Sequence, residues 1–459
     1  MGETGKEKSK GLVVVIAAVA AVGGLLFGFD TGVISGALLF IKKEWALLPI
    51  SQEFVVSAVL VGAILGAALS GKLADRFGRR RIIIATAVIF AVGSFATALA
   101  HSVDMLILGR IVIGIAIGVA SFTVPLYISE ISPAKMRGAL VSLNQLAITI
   151  GIVASYVIDD FFAGTVHGWR YMFAMGVVPA VILGVGMLFL SETPRWLVRQ
   201  NKLDEARHVV RALSGNENVE EDIDSIKDSL ALESGTSWSE LAQPWLRLPL
   251  FIGVGLMFIQ QVTGINTVIY YAPTIFQMAG FSSEVVAITA TVGVGVVNVL
   301  MTIVSIWLID RIGRKPLMYI GLTGIVITLG LLGLGFKEQA VLGGALKWAT
   351  VASVILYIAS FAVSLGPICW LIISEIYPLK IRGLAMSIAT MSNWLFNFFV
   401  ALTFLTLVQK LTAAGAFWLY AIVGVIGLIF CYYFVPETKG HSLEKIEEHF
   451  KLMKSPRDL

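Results

Sequence analysis

The chain has 459 residues, 57% of them hydrophobic and only 14% charged, with a mean hydropathy of +0.86. No soluble domain needs that much apolar sequence, and period-two alternation is absent, which excludes a membrane β-barrel. The net charge of +4 is too small to point to nucleic acid.

The N-terminus, MGETGKEKSK, is short, polar and lysine-bearing. Gly2 stands in a myristoylation position, but Lys6 occupies the place where Ser or Thr is wanted. A bilayer-spanning helix takes about 20 apolar residues. Twelve such runs follow, at roughly 12–40, 52–73, 81–101, 104–128, 139–161, 170–190, 249–278, 284–308, 316–336, 346–374, 383–407 and 412–435. They predict an all-α membrane protein with twelve transmembrane helices. The first run is too long for a signal-peptide core and contains Asp30, so it is read as retained.

Asp30 lies deep in that first run, in Leu-Leu-Phe-Gly-Phe-Asp-Thr-Gly. An intramembrane acid is a functional candidate by default. Arg110, near the start of the fourth run, is the only basic residue in that run.

Lysine and arginine fall unevenly among the loops. One alternate set holds Lys6, Lys8 and Lys10, then Lys72, Arg76, Arg79, Arg80 and Arg81, then Lys135 and Arg137, then Arg311, Arg314 and Lys315, then Lys380 and Arg382. The other set holds far fewer, such as Lys42, Lys43, Arg170, Lys337, Lys347 and Lys410. The first set is therefore expected on the cytoplasmic side, with both termini inside.

An internal repeat is visible. Asp75-Arg76-Phe-Gly-Arg79-Arg80 recurs as Asp310-Arg311-Ile-Gly-Arg314-Lys315, 235 positions on. Ile128-Ser-Glu130-Ile-Ser-Pro133 through Arg137 recurs as Ile373-Ser-Glu375-Ile-Tyr-Pro378 through Arg382, and Ser191-Glu192-Thr-Pro recurs as Pro436-Glu437-Thr-Lys439-Gly, each 245 positions on. The chain thus reads as two parallel six-helix halves, residues 1–194 and 248–435, around a linker at 195–247 and before a tail at 436–459. Such repeats place a substrate site at the interface of the halves, near the bilayer midplane. Asp75, Arg76, Arg79, Glu130, Arg137, Glu192, Asp310, Arg311, Arg314, Glu375 and Arg382 sit at the charged junctions. They are expected to form an ionic latch that pairs across the halves and opens inward. The competing reading, arginines as topology anchors, does not account for Glu130 and Glu375.

The linker carries a small helical bundle. Leu203, Ala206, Val209, Val210 and Leu213 follow helical spacing, with Ile223, Ile226 and Leu230 on a second short helix. The tail segment Ser442 to Phe450 adds one more.

Phe258 to Pro273, FIQQVTGINTVIYYAP, puts Gln260, Gln261, Thr263 and Asn266 into an otherwise apolar run. Amides cost free energy in hydrocarbon unless they have partners. Gly264 lets the helix break there. One amide alone reads as glue between helices. Three within seven positions favour a polar, uncharged, hydroxyl-rich ligand. Cys369 and Cys431 lie in apolar runs and read as packing residues. The five histidines fall in loops or tails, so no metal spacing, nucleophile elbow or phosphate loop is present.

The Gly-Arg-Arg junctions, Ser191-Glu-Thr-Pro-Arg195, Gln260-Gln-Val-Thr-Gly-Ile-Asn266, Gly366-Pro-Ile-Cys-Trp370 and Pro436-Glu-Thr-Lys-Gly440 resemble the sugar porter family of the major facilitator superfamily, over about residues 12 to 445. The resemblance implies a six-plus-six fold that carries a monosaccharide across the membrane by alternating access, and no enzymatic activity. It implies sugar contacts at Gln145, Gln260, Gln261, Asn266, Asn298, Asn393 and Trp394, an aromatic beside the sugar at Trp370, and cavity walls at Phe27 and Tyr270. Some members have Gln where Asn393 stands, so hydroxyl discrimination is expected to differ. Its proton-coupled members carry an acid and an arginine where Asp30 and Arg110 stand, so the resemblance implies H+ as coupling ion, with no other cofactor. Short tails and loops favour a bacterial inner membrane, and a monomeric functional unit is expected. A facilitative uniporter and a transporter-like sugar sensor are the alternatives.

Overall fold

The computed structural model describes residues 3–133, 136–214, 219–233, 238–378 and 380–458; Gly2 and Lys135 lie outside them. The chain is helical throughout these segments. In order come α1 (Glu3–Glu44), α2 (Pro49–Phe77), α3 (Arg79–Ala98), α4 (Val103–Ile131), α5 (Arg137–Phe162), α6 (Gly168–Ala174) and α7 (Val177–Leu188). The polar linker forms α8 (Pro194–Arg199), α9 (Leu203–Ser214) and α10 (Val219–Glu233). Then follow α11 (Arg247–Val262), α12 (Ile265–Met278), α13 (Glu284–Ile312), α14 (Arg314–Lys337), the single turn α15 (Gln339–Leu342), α16 (Ala345–Val363), α17 (Leu365–Ile376), α18 (Arg382–Phe434) and α19 (Leu443–Lys451).

Among the described residues, eleven helical stretches are long and apolar enough to cross a membrane. Each of three is made of two helices: α6 with α7, α11 with α12, and α16 with α17. The last stretch, α18, is itself two helices joined at Thr412, whose φ of 66° and ψ of 166° are not helical. The spans therefore number twelve, at the positions the apolar runs predict. Long apolar side chains such as Val88, Val92 and Phe95 on α3, and Val181, Ile182 and Val185 on α7, are exposed along one helix face. In water that surface is unfavourable; in acyl chains it is the outer surface of the protein.

The chain packs as two compact units. The first comprises Met1–Asp30, Val61–Gly151 and Phe173–Thr236; the second comprises Thr31–Leu60, Ile152–Met172 and Ser237–Leu459. This grouping follows packing rather than the repeat: α1, α2 and α5 each contribute to both units, so the boundaries differ from the 1–194 and 248–435 halves.

Within the first unit, the linker forms the expected small bundle. Ala206, Val209, Val210 and Leu213 of α9 and Ile223 of α10 are buried. Arg207 joins the two helices, 2.9 Å from Asp204 and 2.7 Å from Glu220. In the second unit, Ser442 caps α19 by accepting the Lys445 N–H at 3.3 Å.

Candidate functional site

The second unit holds the amide cluster. Gly264 adopts φ 94° and ψ 17°, the left-handed conformation that separates α11 from α12. The break turns Gln261, at the end of α11, and Asn266, in the first turn of α12, toward each other. The Asn266 Nδ2 donates to Gln261 Oε1 at 2.7 Å. The Gln261 Nε2 donates to Asn393 Oδ1 at 3.1 Å. The Asn393 Nδ2 donates to Gln260 Oε1 at 2.6 Å. The Gln260 Nε2 donates to the carbonyls of Leu365 (2.8 Å) and Gly366 (3.2 Å). Those carbonyls lie just past Ser364, where φ −128° and ψ −92° break α16 from α17. Gln260, Gln261 and Asn393 are buried, and Asn266 is half-buried. Three interrupted or crossing helices thus meet in one chain of neutral, exchangeable hydrogen bonds. Such bonds are worth little net, about 0.5–1.5 kcal/mol each, but are costly to leave unmade.

The other expected contacts are less closely tied. Tyr270 is buried on α12 and its hydroxyl accepts from Asn397 Nδ2 at 3.4 Å. Asn298 is buried on α13, Trp394 is buried beside Asn393, and Trp370 is half-buried on α17. Gln145 on α5 and Phe27 on α1 are half-buried in the first unit. Asn397 was not among the expected residues, although it stands four positions after Asn393 on the same helix face, is 1% exposed, and has a buried Oδ1 without a hydrogen-bond partner among the described residues.

In the first unit, Arg110 and Asp30 form the expected pair. The Arg110 Nη1 lies 3.2 Å from Asp30 Oδ1 and Nη2 3.5 Å from Oδ2, with Arg110 0% and Asp30 2% exposed. Both carboxylate oxygens therefore face the guanidinium, the geometry that gives the strongest pairing. The Phe173 ring lies 5.9 Å from the Arg110 guanidinium carbon.

The charged junctions form two matching clusters. In the first unit, Arg79 Nη2 lies 3.0 Å from Glu130 Oε1, Thr193 donates its hydroxyl to Glu130 Oε2 at 2.6 Å, and Glu192 accepts the backbone N–H groups of Arg79 and Arg80 at the start of α3. In the second unit, Arg314 Nη2 lies 3.0 Å from Glu375 Oε1, Thr438 donates to Glu375 Oε2 at 2.5 Å, and Glu437 accepts the N–H groups of Arg314 and Lys315 at the start of α14. A carboxylate at a helix N-terminus satisfies orphan donors and meets the positive end of the dipole. Burial pushes the Glu192 carboxyl up from its ordinary value, against the pull of the N–H groups of Thr193, Arg80 and Arg79.

Each cluster closes on the helix ends of its own repeat. The carboxylates of Glu130 and Glu192 are held by the helix ends beside them in their own repeat, as are those of Glu375 and Glu437. Asp75 lies 3.2 Å from Arg79 and 2.6 Å from Arg199, and Asp310 lies 3.3 Å from Arg314. Arg137 and Arg382 donate to the carbonyls of Ser129 and Tyr377. Arg76 and Arg311 stack on Phe77 and Trp307, with guanidinium carbons 5.3 and 3.8 Å from the rings. Glu437 was missing from the expected set, although its 245-position offset from Glu192 pointed to it.

Comparison with known proteins bears on the whole chain. The family model described as "Sugar (and other) transporter" matches residues 16–450. The galactose-proton symporter of Escherichia coli (strain K12) is 38% identical over 453 residues, 98% of this chain and 97% of the relative. The D-xylose transporter of Levilactobacillus brevis is 43% identical over 432 residues, 93% of each. The xylose transporter XylE from E. coli, in a partially occluded inward-open conformation, superposes with a TM-score of 0.82 at 34% identity, covering 94% of this chain and 99% of that one. The chain belongs to the sugar transporter family, with the twelve-helix fold of the major facilitator superfamily.

Proposed function

We propose that the protein is a proton-coupled monosaccharide symporter working by alternating access. The observation that carries this reading is the buried Asp30–Arg110 pair. A carboxylate sealed in the membrane with an arginine is a two-position switch: as carboxylate it holds Arg110, and on taking up one H+ it becomes a neutral acid that no longer does. Coupling follows if the protonated form is the one that changes access with sugar bound. The symporter names of its relatives, for galactose and arabinose, support the same assignment.

The hydroxyl-rich ligand is assigned to the amides. Gln145, Gln260, Gln261, Asn266, Asn298 and Asn393 offer donors and acceptors without net charge, which suits a neutral sugar. Trp370 and Trp394 supply faces for its C–H surface, and Phe27 and Tyr270 supply walls. Exchange of amide–amide bonds for amide–hydroxyl bonds leaves few groups unsatisfied, so binding is reversible. The charged clusters around Glu130 and Glu375 brace the helix ends that move. The lysine and arginine bias assigns those ends, and both termini, to the cytoplasm of a bacterial inner membrane. The functional unit is taken as the monomer.

The driving force is adequate. One proton crossing about 100 mV releases roughly 2.3 kcal/mol. One pH unit adds roughly 1.4 kcal/mol. Together they support about a 500-fold sugar gradient at one proton per sugar. The test is Asp30→Asn in proteoliposomes: accumulation is lost while sugar counterflow persists. Accumulation by the wild type that is equal with and without a pH gradient would overturn the reading.

A further inference from the structure

Glu53 lies in the first two turns of α2, inside a predicted span, and is 0% exposed. Its Oε1 accepts the backbone N–H of Thr406 and its Oε2 accepts the Thr406 hydroxyl, both at 2.7 Å. No lysine, arginine or histidine forms an ion pair with it among the described residues. Tyr420, within electrostatic range of this carboxylate, shares a 3.3 Å hydrogen bond with Thr267 and packs on Gly264. A buried carboxylate without a cation is costly. Here it sits toward the C-terminal end of the first helix of α18, where the dipole disfavours an anion. Such a group persists only where its bonds are specific, and here one residue supplies both donors.

The surroundings show what is being held. Inside the second unit, every one of these contacts joins the first repeat to the second. Lys43 pairs with Glu284, Lys42 Nζ donates to Gln277 Oε1 at 2.9 Å, and Thr289 donates to Asp160 Oδ1 at 2.5 Å. Leu39, Ala163 and Ile288 make an apolar plug beside them, with Phe40 against it. All lie at one end of the helices, the end away from the arginine-rich junctions.

We infer that Glu53 is a positioning residue for transport. It grips the Thr406 turn of α18, and through that helix Asn393, Trp394 and Asn397, in the closed arrangement of this face. Loss of the grip is a step in opening it. Thr406 is 13 positions beyond Asn393 on one continuous helix, about 20 Å at 1.5 Å per residue, so a shift at the grip reaches the amides as a rigid movement. The inference rests on the alternating-access reading above.

The test is a single-cysteine reporter, Ile288→Cys, in a Cys369→Ser, Cys431→Ser background, labelled in right-side-out vesicles with a membrane-impermeant maleimide. Glu53→Ala is expected to speed labelling about 10-fold, the scale set by losing charge-assisted hydrogen bonds from a two-state equilibrium. Glu53→Gln, which keeps a neutral acceptor, should fall between the two. Thr406→Val should also speed labelling, and adding it to Glu53→Ala should give less than the product of the single effects. Unchanged labelling in Glu53→Ala, or multiplicative effects in the double variant, would overturn the inference. Counterflow of galactose, xylose and glucose in the same vesicles separates the two readings. Faster labelling with no counterflow in the wild type sinks the transport assignment alone, and unchanged labelling with counterflow intact sinks the grip alone.

Discussion

Arg110 and Asp30 face each other with both carboxylate oxygens within 3.5 Å of the guanidinium, in a region sealed from solvent. Truncating one member strands the other charge, at a cost of about 3–5 kcal/mol. Arg110→Met is therefore expected to lower thermal stability of the purified protein sharply. The double variant Asp30→Asn, Arg110→Met should recover most of that loss. Thermal unfolding in detergent checks this, and a double variant no more stable than Arg110→Met would contradict it.

Gln261 occupies the middle of the amide chain, accepting from Asn266 and donating to Asn393. Gln261→Ala takes from Asn266 Nδ2 its acceptor and from Asn393 Oδ1 its Gln261 donor, and removes a proposed ligand contact. At about 1–3 kcal/mol for the groups left unpaired, the apparent sugar affinity should fall roughly 5- to 150-fold. Asn397→Ala, one contact removed at Tyr270, should weaken it less. Counterflow measured over a range of sugar concentrations gives both values.

Gly264 takes a left-handed conformation, and a Cβ there would come within 2.7 Å of the Tyr420 ring. Gly264→Ala is expected to cost about 1–3 kcal/mol and to displace Asn266, reducing transport. Gly344 offers the control: its φ is −65° and a Cβ there meets nothing within 4 Å. Gly344→Ala should leave transport and stability within error of the wild type.

The two charged clusters repeat residue for residue, so their loss should be matched. Thr193→Val and Thr438→Val each remove one hydroxyl from a buried or half-buried glutamate, Glu130 or Glu375. Each should lower stability by about 1–3 kcal/mol. A clear loss from one and none from the other would show that the repeat in sequence is not a repeat in energetics.

What the sequence disclosed, and what it hid, divides along physical lines. Asp30, Gln260, Gln261 and Asn266 were conspicuous because a polar group in an apolar run must have a reason to be there. The same logic applies to Glu53, at the very start of the second run, and to Asn397, four positions after Asn393 in the eleventh. The twelve spans were legible from run length. The break at Ser364 was not, because no glycine or proline stands at that position and tertiary packing sets its backbone angles. The repeat disclosed which charged residues correspond. It did not disclose their partners, since whether Arg79 meets Glu130 or a carboxylate of the other half depends on which helix ends lie side by side.

The coupling claim has one direct test. Concentrated sugar is added to lightly buffered, de-energised cells expressing the wild-type protein, and external pH is followed. The account predicts that entry of a transported sugar alkalinises the medium, by about one proton per sugar, and that Asp30→Asn abolishes the pH change. Sugar entry with no pH change in the wild type would contradict it.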